Sequence, residues 1–145
     1  MSAQTKPIIA IPMGDPAGIG PEIVVKALSN QKIYDVCQPL VIGHSEVLKR
    51  AMDITHISLN INEIKDPSEG KYEHGTIDVV SLNNVDIDTL EIGKVQSQCG
   101  KAAYEYIETA VGLALDRKVS ALATTPINKE SLKAANVPFI GHTEI

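Results

Sequence analysis

Three short segments combine glycine, hydroxyl, amide, acid and base side chains at spacings that suit recognition of a small anion. The first is Met13-Gly14-Asp15-Pro16-Ala17-Gly18-Ile19-Gly20-Pro21-Glu22. It lies between apolar runs at residues 7–12 and 23–28, so it reads as a strand, a glycine turn and a helix start. Such a turn presents unpaired backbone N–H groups at the carboxyl end of a sheet, where open α/β folds bind anions. The order Gly14-x-x-x-Gly18-x-Gly20 is not that of a dinucleotide turn. It is not a P-loop either, because the Lys and Ser/Thr after the last glycine are missing. Spacing alone leaves two readings open: the glycines cradle a ligand, or they only make a tight turn. Asp15 is either a helix N-cap or a carboxylate that contacts a ligand.

The second segment, Thr124-Thr125-Pro126-Ile127-Asn128-Lys129, follows another apolar strand pattern. Its hydroxyls, amide and lysine suit a polar or anionic small molecule. The plainer alternative is that Thr125 and Asn128 cap a turn and Lys129 is solvated. The third, Gly141-His142-Thr143-Glu144, offers an imidazole and a hydroxyl after a glycine. A lone histidine is more often structural or exposed than catalytic. His44, His56 and His74 have no acidic or cysteine partners nearby in sequence and are expected at the surface. No His-x-x-x-His, Cys-x-x-Cys or carboxylate-rich loop makes a complete metal site.

The elements that position these segments are legible in outline. Residues 8–11 predict a strand buried on both faces. Pro21 at the first helical position and Glu22 in the first turn predict a helix to about Ser29, with Asn30 as its stop. Residues 40–43 read as a second buried strand, and Ser45 as the N-cap of a helix to about Ala51. Ile57, Leu59 and Ile61 alternate as in a half-buried strand, and residues 66–70 are turn chemistry. Residues 76–82 read as a strand and 83–88 as loop. Residues 95–118 carry one long helical pattern, whose apolar stripe is Ala102, Ala103, Tyr106, Ile107, Ala110, Val111, Ala114 and Leu115. Gly93 suits its entry turn, and Gly112 inside it suits close packing. Residues 121–124 read as a buried strand, Asn128 caps a helix to about Ala135, and residues 137–140 form an extended connector. Strands alternating with helices predict a three-layer, mainly parallel α/β sheet. There is no repeat, low-complexity tract or clear linker.

Bulk properties agree. The 145 residues are 43% hydrophobic and only 3% aromatic, so Ile, Val, Leu and Ala must build the core, as in parallel sheets. The net charge of −5 comes with no basic cluster able to track a nucleic acid. Lys49-Arg50 and Arg117-Lys118 are isolated pairs placed at expected helix ends. Two distant cysteines exclude a disulfide scaffold and a zinc finger. No apolar run has membrane-spanning length and residues 1–6 lack the apolar core of a signal peptide, so a cytoplasmic chain is expected.

Taken in order, residues 13–22, Thr124-Thr125-Pro126-Ile127-Asn128-Lys129-Glu130 and Gly141-His142-Thr143-Glu144 resemble the 4-hydroxythreonine-4-phosphate dehydrogenase (PdxA) family. The Asp-Pro and Asn-Lys-Glu variants are closer to its branch acting on 4-phospho-D-threonate or 4-phospho-D-erythronate. The resemblance covers the whole chain but somewhat under half of a typical member. It implies an isocitrate/isopropylmalate dehydrogenase-like fold and a homodimer that uses NAD and a divalent metal (zinc, magnesium or cobalt). The implied reaction oxidises the 3-hydroxyl of a 4-phosphorylated four-carbon acid and releases carbon dioxide. In the biosynthetic branch, it feeds pyridoxal phosphate synthesis.

The family's substrate-contacting His-Thr pair falls on His142 and Thr143. The turns holding Gly14, Asp15, Gly18, Gly20, Thr125, Asn128 and Lys129 fall on motifs near the cleft. The three metal-binding histidines, further phosphate-binding residues and most of the NAD region lie downstream in the family. The chain is therefore expected to be the N-terminal portion of a two-domain enzyme, inactive alone, with apolar surface that the second domain covers. Two alternatives stand beside this reading. One is another enzyme of the fold group, such as a phosphate acyltransferase. The other is a non-catalytic fragment or binding module.

Overall fold

The computed structural model describes residues 6–138. Five strands form one sheet: β1 (Ile8–Pro12), β2 (Gln38–Gly43), β3 (Asn60–Glu63), β4 (Thr76–Ser81) and β5 (Ala121–Leu122). Their order is β3-β4-β2-β1-β5, and every pairing is parallel. The helices are α1 (Gly20–Leu28), α2 (Gln31–Val36), α3 (Ser45–Thr55), α4 (Ser97–Leu115) and α5 (Lys129–Ala134).

The crossover rule explains the layers. From β1 through α1 and α2 to β2, and from β2 through α3 to β3, the chain moves one way along the sheet. From β4 through α4 to β5 it moves the other way. Right-handed crossovers therefore place α1 and α3 on one face and α4 on the other. The packing agrees: α1 lies against α3, and α4 against α5, β1 and β2. This is the three-layer parallel α/β architecture expected from the sequence.

β2 is the sheet's centre. Leu40, Val41 and Ile42 are completely buried, as a parallel strand with helices on both faces requires. β1 is less covered than expected: Ile8, Ile9 and Ile11 are only half-buried. An apolar groove of about 280 Å³ runs there, lined by Ile9, Ile11, Ile23, Ala27, Cys37 and Ala123 among others. Between β3 and β4 the buried Asp78 carboxylate organises the connection. It accepts from Asn62 Nδ2 at 2.8 Å, Lys71 N at 3.0 Å and Tyr72 N at 2.7 Å.

Several expectations are corrected. Asn30 stops α1 but also starts α2, because its side chain accepts the Lys32 N–H at 2.9 Å. His44, expected at the surface, is buried and is the N-cap of α3, its Nδ1 accepting the Glu46 N–H at 3.2 Å. Ser45, expected as that cap, is the first helical residue. α3 runs to Thr55, so Lys49-Arg50 lies inside it rather than at its end. β3 falls at Asn60–Glu63 instead of 57–61, and β5 keeps only two of four expected residues. On α4 the stripe from Ala102 to Ala110 is buried, while Leu115 is 78% exposed. A Cβ at Gly112 would touch nothing, so close packing does not explain that glycine.

Candidate active-site crevice

β1 sits where the chain reverses its direction along the sheet, with β2 on one side and β5 on the other. The loops leaving β1 and β5 diverge there, which opens a crevice at the carboxyl ends of the strands, the general ligand position in open α/β sheets. The first two candidate segments are these two loops. An open pocket of about 580 Å³ lies between them, lined by Asp15, Gly18, Pro126, Asn128 and Lys129 together with Gly93 and Lys94.

The two loops are laced together. Thr125 Oγ1 donates to the Pro12 carbonyl at 3.0 Å, and Asp15 N donates to the Pro126 carbonyl at 3.2 Å. Gly14 has φ +80°, and a Cβ there would collide with the Pro126 carbonyl. A Cβ at Gly20 would collide with the Met13 carbonyl and lie 2.9 Å from Thr125 Oγ1. These two glycines are therefore required by a close approach of backbones, which settles the tight-turn reading in its favour without excluding a ligand. Gly18 is exposed on the pocket wall. The N-cap of α1 is Ile19 and no side chain caps that end; Pro21, which has no N–H to satisfy, and the buried Gly20 open the helix.

Asp15 is not the cap of α1. It is 3% exposed, and its Oδ1 accepts the Ala17 N–H at 2.8 Å. Burial pushes its carboxyl above the usual carboxylate range. Donors on Ala17, Ser131 and Cys99 pull the other way. Cys99 belongs to α4, and burial with the Asp15 charge beside it pushes its thiol up to about 12. The carboxylate thus ties the glycine turn to α4 and α5 under the pocket. Asn128 caps α5, accepting from Glu130 N at 2.9 Å and Ser131 N at 3.0 Å. Lys129 is exposed at the pocket rim.

Two site features were not read from the sequence. Ser131 is completely buried between the walls, and its Oγ accepts the Gln96 N–H at 3.2 Å. Lys94 enters from the segment before α4, and its only sequence signal is the preceding Gly93, whose φ is +84°. His142 and Thr143 lie outside the described residues. Among the described residues no three His, Cys, Asp or Glu side chains gather as a metal site. Asp15 is already engaged by donors of the protein. The described residues therefore do not fit a metal centre, and the glycine order does not fit a dinucleotide turn.

The profile of the family described as pyridoxal phosphate biosynthetic protein PdxA matches residues 35–145. The chain belongs to the PdxA family. A protein of Halalkalibacterium halodurans with the provisional name D-threonate 4-phosphate dehydrogenase is 60% identical over 140 residues, which are 97% of this chain and 42% of that protein. A crystal structure of a 4-hydroxythreonine-4-phosphate dehydrogenase from Burkholderia phymatum superposes with a TM-score of 0.93 at 45% identity. The match covers 97% of this chain and 42% of that one. The enzyme of the same name from Klebsiella pneumoniae gives 0.90 at 37% identity, covering 99% and 43%. The PdxA fold is of the isocitrate/isopropylmalate dehydrogenase-like group, as the motifs implied. The chain spans about 42% of the length of the relatives it matches.

Proposed function

We propose that this chain forms one wall of the catalytic cleft of a two-domain PdxA-type dehydrogenase. The whole protein oxidises the 3-hydroxyl of a 4-phosphorylated four-carbon acid with NAD, and carbon dioxide is lost from the β-keto acid formed. D-threonate 4-phosphate and its erythronate analogue are the first substrates to consider. The observation that carries this reading is the crevice between the β1 and β5 loops, which joins two of the three family motifs in one pocket. Lys129, exposed at its rim, offers it a donor for an anion.

In this reading His142 and Thr143 contact the substrate. The divalent metal and NAD are held chiefly by the part of the protein this chain does not span, and the working unit is a cytoplasmic homodimer. Among the described residues no helix is long and apolar enough to cross a membrane. What the described residues do is bind and orient. The glycine turn and the Thr125–Lys129 turn are laced to each other by hydrogen bonds, which holds the two crevice walls in a fixed relation.

The test is an NADH-formation assay on the full-length protein with divalent metal. D-threonate 4-phosphate, D-erythronate 4-phosphate and 4-phosphohydroxy-L-threonine are offered in turn. Metal-dependent NADH production with at least one is expected. No NADH from any of the three, with folded metal-loaded protein, would overturn the reading.

A further inference from the structure

Residues 91–96 form a braced strap across the crevice. Gln96 Nε2 donates to the carbonyls of Glu91 at 2.6 Å and Lys94 at 3.3 Å, and Gln96 Oε1 accepts the Glu91 N–H at 3.2 Å. Gly93 N donates to the Ala17 carbonyl at 2.7 Å, which fastens the strap to the glycine turn. Gln96 N donates to Ser131 Oγ, which fastens it to α5. Five hydrogen bonds thus hold a six-residue segment in place. The side chain it delivers to the pocket is Lys94, on a different element from Lys129.

The Lys94 ammonium pairs with Glu91 Oε2 at 3.2 Å, and the two side chains are 67% and 62% exposed. An ion pair this exposed adds little stability and is weakened by salt. A phosphate dianion offers the same ammonium more charge and three acceptor oxygens. Glu91 is therefore an internal anion that a phosphorylated ligand can displace at small cost. The pocket's buried carboxylate, Asp15, does not compete, because donors of the protein already engage it.

We propose that Lys94 is a phosphate-binding residue of the crevice and that Glu91 competes with the ligand for it. The proposal deepens the dehydrogenase reading and rests on it for the class of substrate. Lys94 adds to the preference for a phosphorylated acid over the bare acid, and Glu91 tempers the affinity.

The test is isothermal titration of the full-length protein with D-threonate 4-phosphate, D-threonate and inorganic phosphate, using wild type, Lys94→Gln, Glu91→Gln and the double variant. Lys94→Gln is expected to weaken D-threonate 4-phosphate binding roughly tenfold. Glu91→Gln is expected to tighten it roughly threefold, and to have no effect once Lys94 is gone. Affinity for D-threonate stays unchanged in every variant. Both side chains are exposed, so the variants are expected to fold, which circular dichroism checks. Equal affinity of wild type and Lys94→Gln for the phosphorylated acid overturns the proposal, as does a Glu91→Gln effect that persists in the double variant. A wild type that ignores D-threonate 4-phosphate but binds inorganic phosphate through Lys94 sinks the substrate reading and keeps the phosphate site. A wild type that binds neither overturns both.

Discussion

The Thr125 hydroxyl donates to the Pro12 carbonyl at 3.0 Å, across 113 residues of sequence. This bond joins the last residue of β1 to the loop after β5, and Thr125 is only 8% exposed. It fixes the distance between the two walls of the crevice at its base.

Thr125→Val keeps the shape and removes the donor, leaving a buried carbonyl short of a partner. A loss of about 1–3 kcal/mol is expected in denaturant unfolding of the full-length protein. Thr125→Ser keeps the hydroxyl and should lose less. Equal stability of the Val and Ser variants would show that the hydrogen bond is not what closes the base.

Two glycines should respond to alanine with opposite signs. At Gly20 the new Cβ meets the Met13 carbonyl, a backbone atom that cannot swing away, and the cost is expected at about 1–3 kcal/mol. At Gly112, inside α4, it meets nothing, and helix propensity should stabilise by about 0.5–1 kcal/mol. Paired melting curves decide this, and a shared sign would contradict the packing described here.

His44 gives a pH dependence whose direction follows from its burial. Burial pushes its pKa below the ordinary 6.5, against the pull of Glu46 and Glu63. The unfolded chain therefore binds the proton more readily than the folded one. Stability tied to His44 is complete above pH 6.5 and is lost as pH falls through the lowered value. His44→Asn keeps a good N-cap without titrating. Its stability relative to wild type should rise as pH drops from 7 toward 5. A constant difference across that range would count against the buried neutral imidazole. His44→Ala, which loses the cap, should cost about 1 kcal/mol at neutral pH.

For His142 the expected effect is on catalysis. In the proposed dehydrogenase, His142→Ala should lower turnover by roughly 10²–10⁴-fold with unfolding unchanged. Wild-type kinetics in that variant would remove His142 from the substrate site.

Much of this protein is written locally. The apolar runs at β1, β2 and β4, the Asn128 cap and the stripe from Ala102 to Ala110 are short-range patterns, because helix and strand each demand a characteristic spacing of apolar residues. The residues of both crevice turns were legible for the same reason, since glycine, proline and capping side chains mark a turn wherever they fall. α2 was hidden because Asn30 both ends one helix and begins the next, and six residues carry too little periodicity to show. His44 was misplaced because an imidazole becomes a cap only when the fold buries it beside a free N–H.

Local patterns of apolar, glycine and proline residues were enough to read a parallel α/β chain with a glycine turn and a Thr-Thr-Pro turn at strand ends, and the motif order marked the PdxA family. That those turns are neighbours is a consequence of how the chain packs. That depends on β5 adding beside β1 rather than beyond β3, a choice made by α4 crossing the opposite face of the sheet. The same packing brought Lys94 to the crevice and set Cys99 and Ser131 under Asp15. Contacts across so many residues leave no periodic trace in a single chain. They follow from the layers closing over a shared core, and that closure is a property of the whole fold.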